Sequence, residues 1–371
     1  LGSHILSQLI EFPSVSRIYC PIRVNQRQTA LERLTKSLQE RQLTHILSSS
    51  KVHPLQSDHS KPDLGLPAPI FERIQGETTH IIHCAWEVNF ALPVRSFTPQ
   101  LGALQNLISL SLSSPFSEPA KVLFCSSVGT AIATPAPQSG TEVVISEVPI
   151  KELTDAWPTG YARSKLIAER ILEKAVTVDG AHATILRIGQ IIPSPKSGSQ
   201  LWNPNEMVPL MVRSALSTGS LPDTPGSADR CSWIDVDALS AAILDIGTLE
   251  RVSLEQAESK RSQLVYNLVH PRAFSWKDDF IPALKAAGLD FEVVDRKTWL
   301  EKLRNSEMDI EKNPSRKLLG FWEAQDNNER GKDVIFETQA AEAQSEAMKK
   351  MGKVVDEEYV AKLLQAWRAV W

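Results

Sequence analysis

Cysteine is scarce in this 371-residue sequence. Cys20, Cys84, Cys125 and Cys231 show no metal-ligand spacing, so no metal site is expected. Three of them sit in apolar, strand-like runs, which suits reduced, buried thiols in a cytoplasmic protein better than a disulfide framework. No apolar run approaches the ~20 residues of a transmembrane helix, so no membrane partner is expected. A basic excess is missing too: a formal charge of −4 offers no field for nucleic acid. The opening "LGSHILSQLIEF" has no initiating methionine and no basic segment ahead of its apolar stretch. That makes it a poor secretory signal, and it reads as the interior of something longer.

What is present is an alternation. "SRIYCPIRV" is followed by "TALERLTKSLQERQL", in which Leu31, Leu34 and Leu38 fall on one predicted helical face. "THIIHCA", "LGALQNLISLSLSS", "AKVLFCSS", "GYARSKLIAERIL", "HATILRIG" and "QLVYNLV" continue the pattern. Nearly continuous apolar strands alternating with helices predict a parallel sheet covered on both faces, with ligands at the carboxyl ends of the strands. After about residue 190 the pattern loosens into Pro-, Gly- and Ser-rich loops around the helix "EMVPLMVRSALS". The last hundred residues read as mostly helical. "EAQSEAMKKMGK" is polar enough for a mobile connection, and Asp356 is the expected cap of a final helix buried through Val360, Leu363, Leu364 and Trp367.

A dinucleotide-binding sheet normally begins with a strand and a glycine-rich turn whose N–H groups meet the pyrophosphate. Neither is here; a single Gly2 leads straight into a helix. The following strand ends in Arg23, at the position where an acid suits a ribose hydroxyl and a base suits a 2′-phosphate. Arg23 and Arg33 therefore favour NADPH, because a guanidinium matches phosphate geometry. The alternative for each is a solvated surface charge. The first strand and first two glycines are expected to lie upstream of residue 1.

Tyr161 and Lys165 are four positions apart and share a helical face. A phenol with a pKa near ~10 is a poor proton donor–acceptor at neutral pH, and a neighbouring ammonium is expected to lower it. "KVLFCSSVGT" puts Ser126 and Ser127 where a strand ends, and hydroxyls there can meet a substrate oxyanion. Ser126 reads better as a turn cap. Serine, then tyrosine and lysine one helix later, together point to chemistry.

With these motifs the sequence resembles the extended short-chain dehydrogenase/reductase family. More narrowly, it is similar to the C-terminal thioester reductase domains of fungal nonribosomal-peptide-synthetase-like enzymes, including carboxylic acid and α-aminoadipate reductases. "LGSHIL" looks like the end of the family's TGxxGxxG loop, with Gly2 its third glycine, and "LQSDHSKPDLGL" places Asp58 near the adenine. "IIHCAWEVNF" places Ala85 along the cofactor, and "FCSSVGT" with "GYARSK" assigns Ser127, Tyr161 and Lys165 as catalytic. Lys165 would also orient the ribose. Gln100 stands where many members carry asparagine, and Met207 where tryptophan often follows the "WNxxE" stretch.

The resemblance implies a Rossmann-type NADP-binding domain over 1–200, substrate-region loops and a helix over 201–230, a return to the first domain over 231–270, and a helical substrate subdomain over 271–371. It implies NADPH-dependent release of an acyl group, held as a thioester on the phosphopantetheine of a carrier domain in the same polypeptide. The product would be an aldehyde, with reduction to the alcohol left open. The rivals are a free-standing oxidoreductase or epimerase on this fold, a non-redox cyclase and a non-catalytic NADP-binding module. Trp202 and Asn203 are candidate substrate-region residues, although packing suits a tryptophan better. His83 reads as a core histidine, and Asp235 with Asp237 lacks the further ligands a metal needs.

Overall fold

The structure is a computed structural model that describes residues 1–24, 28–135, 142–195, 202–226, 229–249, 263–310, 312–326 and 333–371. Helix α1 (Gly2–Leu9) precedes strand β1 (Ile18–Ile22), and α2 (Ala30–Gln39) leads to β2 (Val52–Gln56). Next come α3 (Ala68–Glu77), β3 (His80–His83), α4 (Thr98–Leu112), β4 (Lys121–Ser127), β5 (Glu142–Ile145), α5 (Gly160–Val178) and β6 (Ala183–Ile188). Then follow α6 (Met207–Arg213), α7 (Ala215–Thr218), α8 (Val236–Gly247) and β7 (Val265–Leu268). A parallel sheet has the order β7-β6-β4-β3, and β1 and β2 form a separate parallel pair. The pair joins the same side-chain clusters as β3, Ile18 with Ile82 in one and Tyr19 with Ile81 in the other.

The alternation expected of a doubly covered sheet is visible along β4. Val122 and Phe124 pack with Leu104 and Ile108 of α4 and Leu172 of α5. Leu123 and Cys125 point the other way, among Ile5 and Leu9 of α1 and Leu239 and Ile243 of α8. Each such fully buried leucine or isoleucine stabilises the fold by about 1.5–3 kcal/mol. In α2 the buried stripe is Ala30, Leu34 and Leu38; Leu31, expected on that face, is 56% exposed. A capping box between Thr29 and Glu32 fixes where the helix begins.

A second core gathers Trp202, Trp233, Trp276, Trp299, Trp322 and Trp367. Asp356 accepts from the Tyr359 N–H at 2.8 Å and caps the helix Glu357–Arg368, whose Val360, Leu363, Leu364 and Trp367 are buried as expected. Within 271–371, however, residues 333–351 leave this core. Strand β8 (Asp333–Phe336) pairs with β5 in parallel, Val334 level with Val143. The segment read as a mobile connection forms short helices whose Ala341 and Met348 are buried against α8. Glu147 anchors them by accepting from the Ala340 and Ala341 N–H groups at 2.6 and 3.1 Å.

Candidate active site

The carboxyl end of β4 and the first turn of α5 meet at the centre of the molecule. Ser127 closes β4, and its hydroxyl accepts from the Gly129 N–H at 3.1 Å. Thr159 caps α5 by accepting from the Ala162 N–H at 3.2 Å, which fixes the turn carrying Tyr161. Gly160 is required there: a Cβ would lie 2.2 Å from the Leu92 carbonyl oxygen and 2.6 Å from the backbone of Pro93. The loop before α4 thus presses on the start of α5. Its Phe90 meets the Tyr161 ring edge-to-face at 5.3 Å, and Phe97 approaches at 6.4 Å.

Burial pushes the Tyr161 phenol up to about 12, and the Ser127 side chain beside it opposes that rise. The expected lowering by Lys165 is therefore corrected: the phenol stays protonated at neutral pH. Lys165 does share the helical face, but its ammonium lies 6.0 Å from the tyrosine ring centroid and donates to the Cys125 carbonyl at 2.5 Å. Burial takes Lys165 down to about 7; the Cys125, Cys84 and Glu169 side chains oppose the fall.

Behind the pair, Ser126 donates to Glu169 Oε1 at 2.5 Å, and Glu169 in turn accepts from Arg187 Nη2 at 2.8 Å. All three side chains are buried. This network ties α5 to β4 and β6 one turn below Lys165, so Ser126 braces the site from behind β4. Sequence reasoning missed Glu169, Arg187 and Trp86, whose indole lies 4.4 Å from the Lys165 ammonium. An aromatic residue straight after "HCA" was the available signal for Trp86.

Of the expected cofactor residues, Arg23, Asp58 and Ala85 follow the carboxyl ends of β1, β2 and β3, whereas Gly2 and Arg33 lie on helices. Gly2 opens α1, and a Cβ there would meet Cys84 Sγ at 3.4 Å. Arg23 follows β1, and Arg33 of α2 donates to the Arg23 backbone carbonyl; both arginines are exposed. Arg33 and Lys36 also line an open groove of about 400 Å³. Asp58 follows β2, held by the Ser60 hydroxyl at 2.6 Å, a bond that keeps its carboxyl below the usual range. Ala85 is exposed in the loop after β3. Three buried polar atoms at these strand ends and at the start of α4, Ser57 Oγ, His83 Nε2 and Gln100 Oε1, lack a hydrogen-bond partner among the described residues. Orphaned buried polar atoms after β2, at the end of β3 and at the start of α4 fit a site that takes a dinucleotide.

The other candidate residues lie outside this cluster or pack in the core. Trp202 is 3% exposed between Trp233 and Trp367, with Nε1 donating to Glu206 at 2.9 Å, so its ring is a core element. Asn203 is exposed and accepts from the Asn205 N–H. His83 is buried against Phe124, and burial takes it down to about 3, leaving it neutral. Asp235 caps α8, accepting from the Asp237 and Ala238 N–H groups. Among the described residues no cluster of three or more His, Cys, Asp or Glu could hold a metal ion, and no helix is long and apolar enough to cross a membrane.

The model of an NAD-binding family described as "Male sterility protein" matches residues 1–243. The adenylate-forming reductase Nps10 of Heterobasidion annosum is 36% identical over 335 residues, covering 87% of this chain and 28% of that protein. The carboxylic acid reductase of Neurospora crassa is 27% identical over 379 residues, covering 100% of this chain and 34% of that protein. The chain thus spans about a third or less of these curated relatives. Among solved structures, the terminal R domain from the myxalamid PKS-NRPS biosynthetic pathway superposes with a TM-score of 0.78 at 23% identity, covering 98% of this chain and 87% of that one. A UDP-galactose 4-epimerase follows the same fold at a TM-score of 0.56 and 12% identity, covering 100% and 96%.

Proposed function

Because the chain belongs to the NAD-binding family described as "Male sterility protein", we propose that it is the reductase portion of a larger enzyme, releasing a carrier-bound acyl thioester as an aldehyde with NADPH. The observation that carries this reading is the hydroxyl pair of Ser127 and Tyr161 at the carboxyl end of β4, with Lys165 one turn further along α5. The relatives are about three times as long as the matched stretch, which leaves room for a carrier in the same polypeptide.

A dinucleotide bound at this site would supply hydride. Gly2, Arg23, Arg33, Asp58, Ala85 and Lys165 are the residues that would hold it, with the exposed arginines Arg23 and Arg33 suiting a 2′-phosphate and hence NADPH. Ser127 and Tyr161 donate to the thioester oxygen, and Tyr161 gives up its proton as negative charge gathers there. A phenol that stays protonated at neutral pH is ready for that donation. Hydride and proton together convert the thioester into an aldehyde and a free thiol.

The test is to give the intact protein NADPH and an acyl-pantetheine thioester, follow cofactor oxidation and identify the product. Tyr161→Phe is expected to bind NADPH normally and lose about 10²–10⁴-fold in turnover. Equal turnover by that variant removes Tyr161 from the chemistry. Oxidation of cofactor with free ketones but not thioesters overturns the substrate reading.

A further inference from the structure

Trp86 touches Lys165 directly and reaches the Tyr161 backbone through Ser164. The Lys165 ammonium lies 4.4 Å from the indole centroid and 4.6 Å from that of Phe124. At its other end the indole Nε1 donates to Ser164 Oγ at 3.1 Å, and Ser164 donates to the Tyr161 carbonyl at 2.7 Å. The ring is itself wedged edge-to-face against Phe124 at 5.5 Å and His83 at 6.0 Å. A buried ammonium needs compensation for its lost water, and an aromatic face provides it electrostatically.

The groups facing Lys165 leave room for this effect to matter. Cys125 and Cys84 are thiols, His83 is neutral, and the nearby carboxylate is Glu169, already engaged by Arg187 and Ser126. Phe124 belongs to β4 and cannot move without the sheet. Trp86 lies in the loop after β3, so its hydrogen bond to Ser164 is what registers the ring against α5.

We infer that Trp86 is a positioning residue: its indole face, beside Phe124, holds the Lys165 ammonium, and its N–H locks that face to the turn carrying Tyr161. The inference rests on Lys165 being a working residue of the proposed site. It assigns Trp86 no contact with the substrate.

Trp86→Phe keeps an aromatic face and loses the N–H; Trp86→Leu loses both. Two measurements on the purified intact protein compare them. One is the Kd for NADPH from fluorescence titration. The other is the pH midpoint for acylation of Lys165 by acetic anhydride in the absence of cofactor, read by mass spectrometry. Trp86→Leu is expected to weaken NADPH binding roughly threefold to thirtyfold and to move the Lys165 midpoint to lower pH. Trp86→Phe is expected to stay within about threefold of the wild type in Kd and near it in midpoint. If leucine is not accommodated, Trp86→Met supplies the same comparison. A leucine or methionine variant with unchanged affinity, or with an unchanged or raised midpoint, overturns the inference. If the wild type reduces no thioester while the midpoints still separate, the functional reading fails and the positioning role stands.

Discussion

Lys165 has only 3% of its surface exposed, and burial lowers its pKa to about 7 from an ordinary value of 10.5. Below pH 7 the ammonium is present in both folded and unfolded chains, and the folded state bears the full desolvation cost. Between pH 7 and 10.5 the folded lysine is neutral while the unfolded one still binds a proton, so the cost declines as pH rises. Lys165→Met should therefore gain stability over the wild type most below pH 7. That advantage should shrink by about 1.4 kcal/mol per pH unit from 7 towards 10.5. Denaturant unfolding of both proteins across this range measures it; a constant difference means that Lys165 is not desolvated. The pairing of Tyr161 with Lys165 was legible because helical periodicity fixes which residues share a face. The direction of the Tyr161 shift was not, because it comes from burial of the phenol, with Phe90 and Phe97 beside its ring. Trp86 was hidden for the same reason: its role depends on a loop from β3 meeting α5.

At the scale of elements, the approach of the 90–94 loop to α5 decides where Tyr161 sits. A methyl group on residue 160 would lie 2.2 Å from the Leu92 carbonyl oxygen, so loop or helix must yield. Gly160→Ala is expected to destabilise the protein by about 1–3 kcal/mol. It should also lower turnover at least about tenfold by separating Tyr161 from Ser127. Thermal unfolding and steady-state rates check the two effects; a variant matching the wild type in both denies that the contact is tight. The parallel sheet and the covering of both its faces were readable from apolar runs. The β5–β8 pairing was not, because "DVIF" and "EVVI" lie nearly two hundred residues apart and only tertiary closure brings them into register.

Across the whole molecule, the two cores meet over the site through aromatic rings. Phe321, on the helix Leu319–Asp326 beside the tryptophan-rich core, stacks on Phe90 at 5.4 Å and 17°, with Trp157 against it at 5.1 Å. Phe90 in turn touches Tyr161. A double-mutant cycle with Phe90→Leu and Phe321→Leu is expected to return a coupling of about 0.5–1.5 kcal/mol in unfolding free energy. Strict additivity shows that the rings are neighbours without interaction.

The tryptophan-rich core draws on three separate stretches, ending near residues 233, 322 and 371, and between the last two the chain runs back to pair β8 with β5. No single cut in the polypeptide can free one lobe from the other. Anyone wishing to exchange this half for that of a relative faces three simultaneous grafts, and a fusion joined at one point inherits half of each lobe and the integrity of neither.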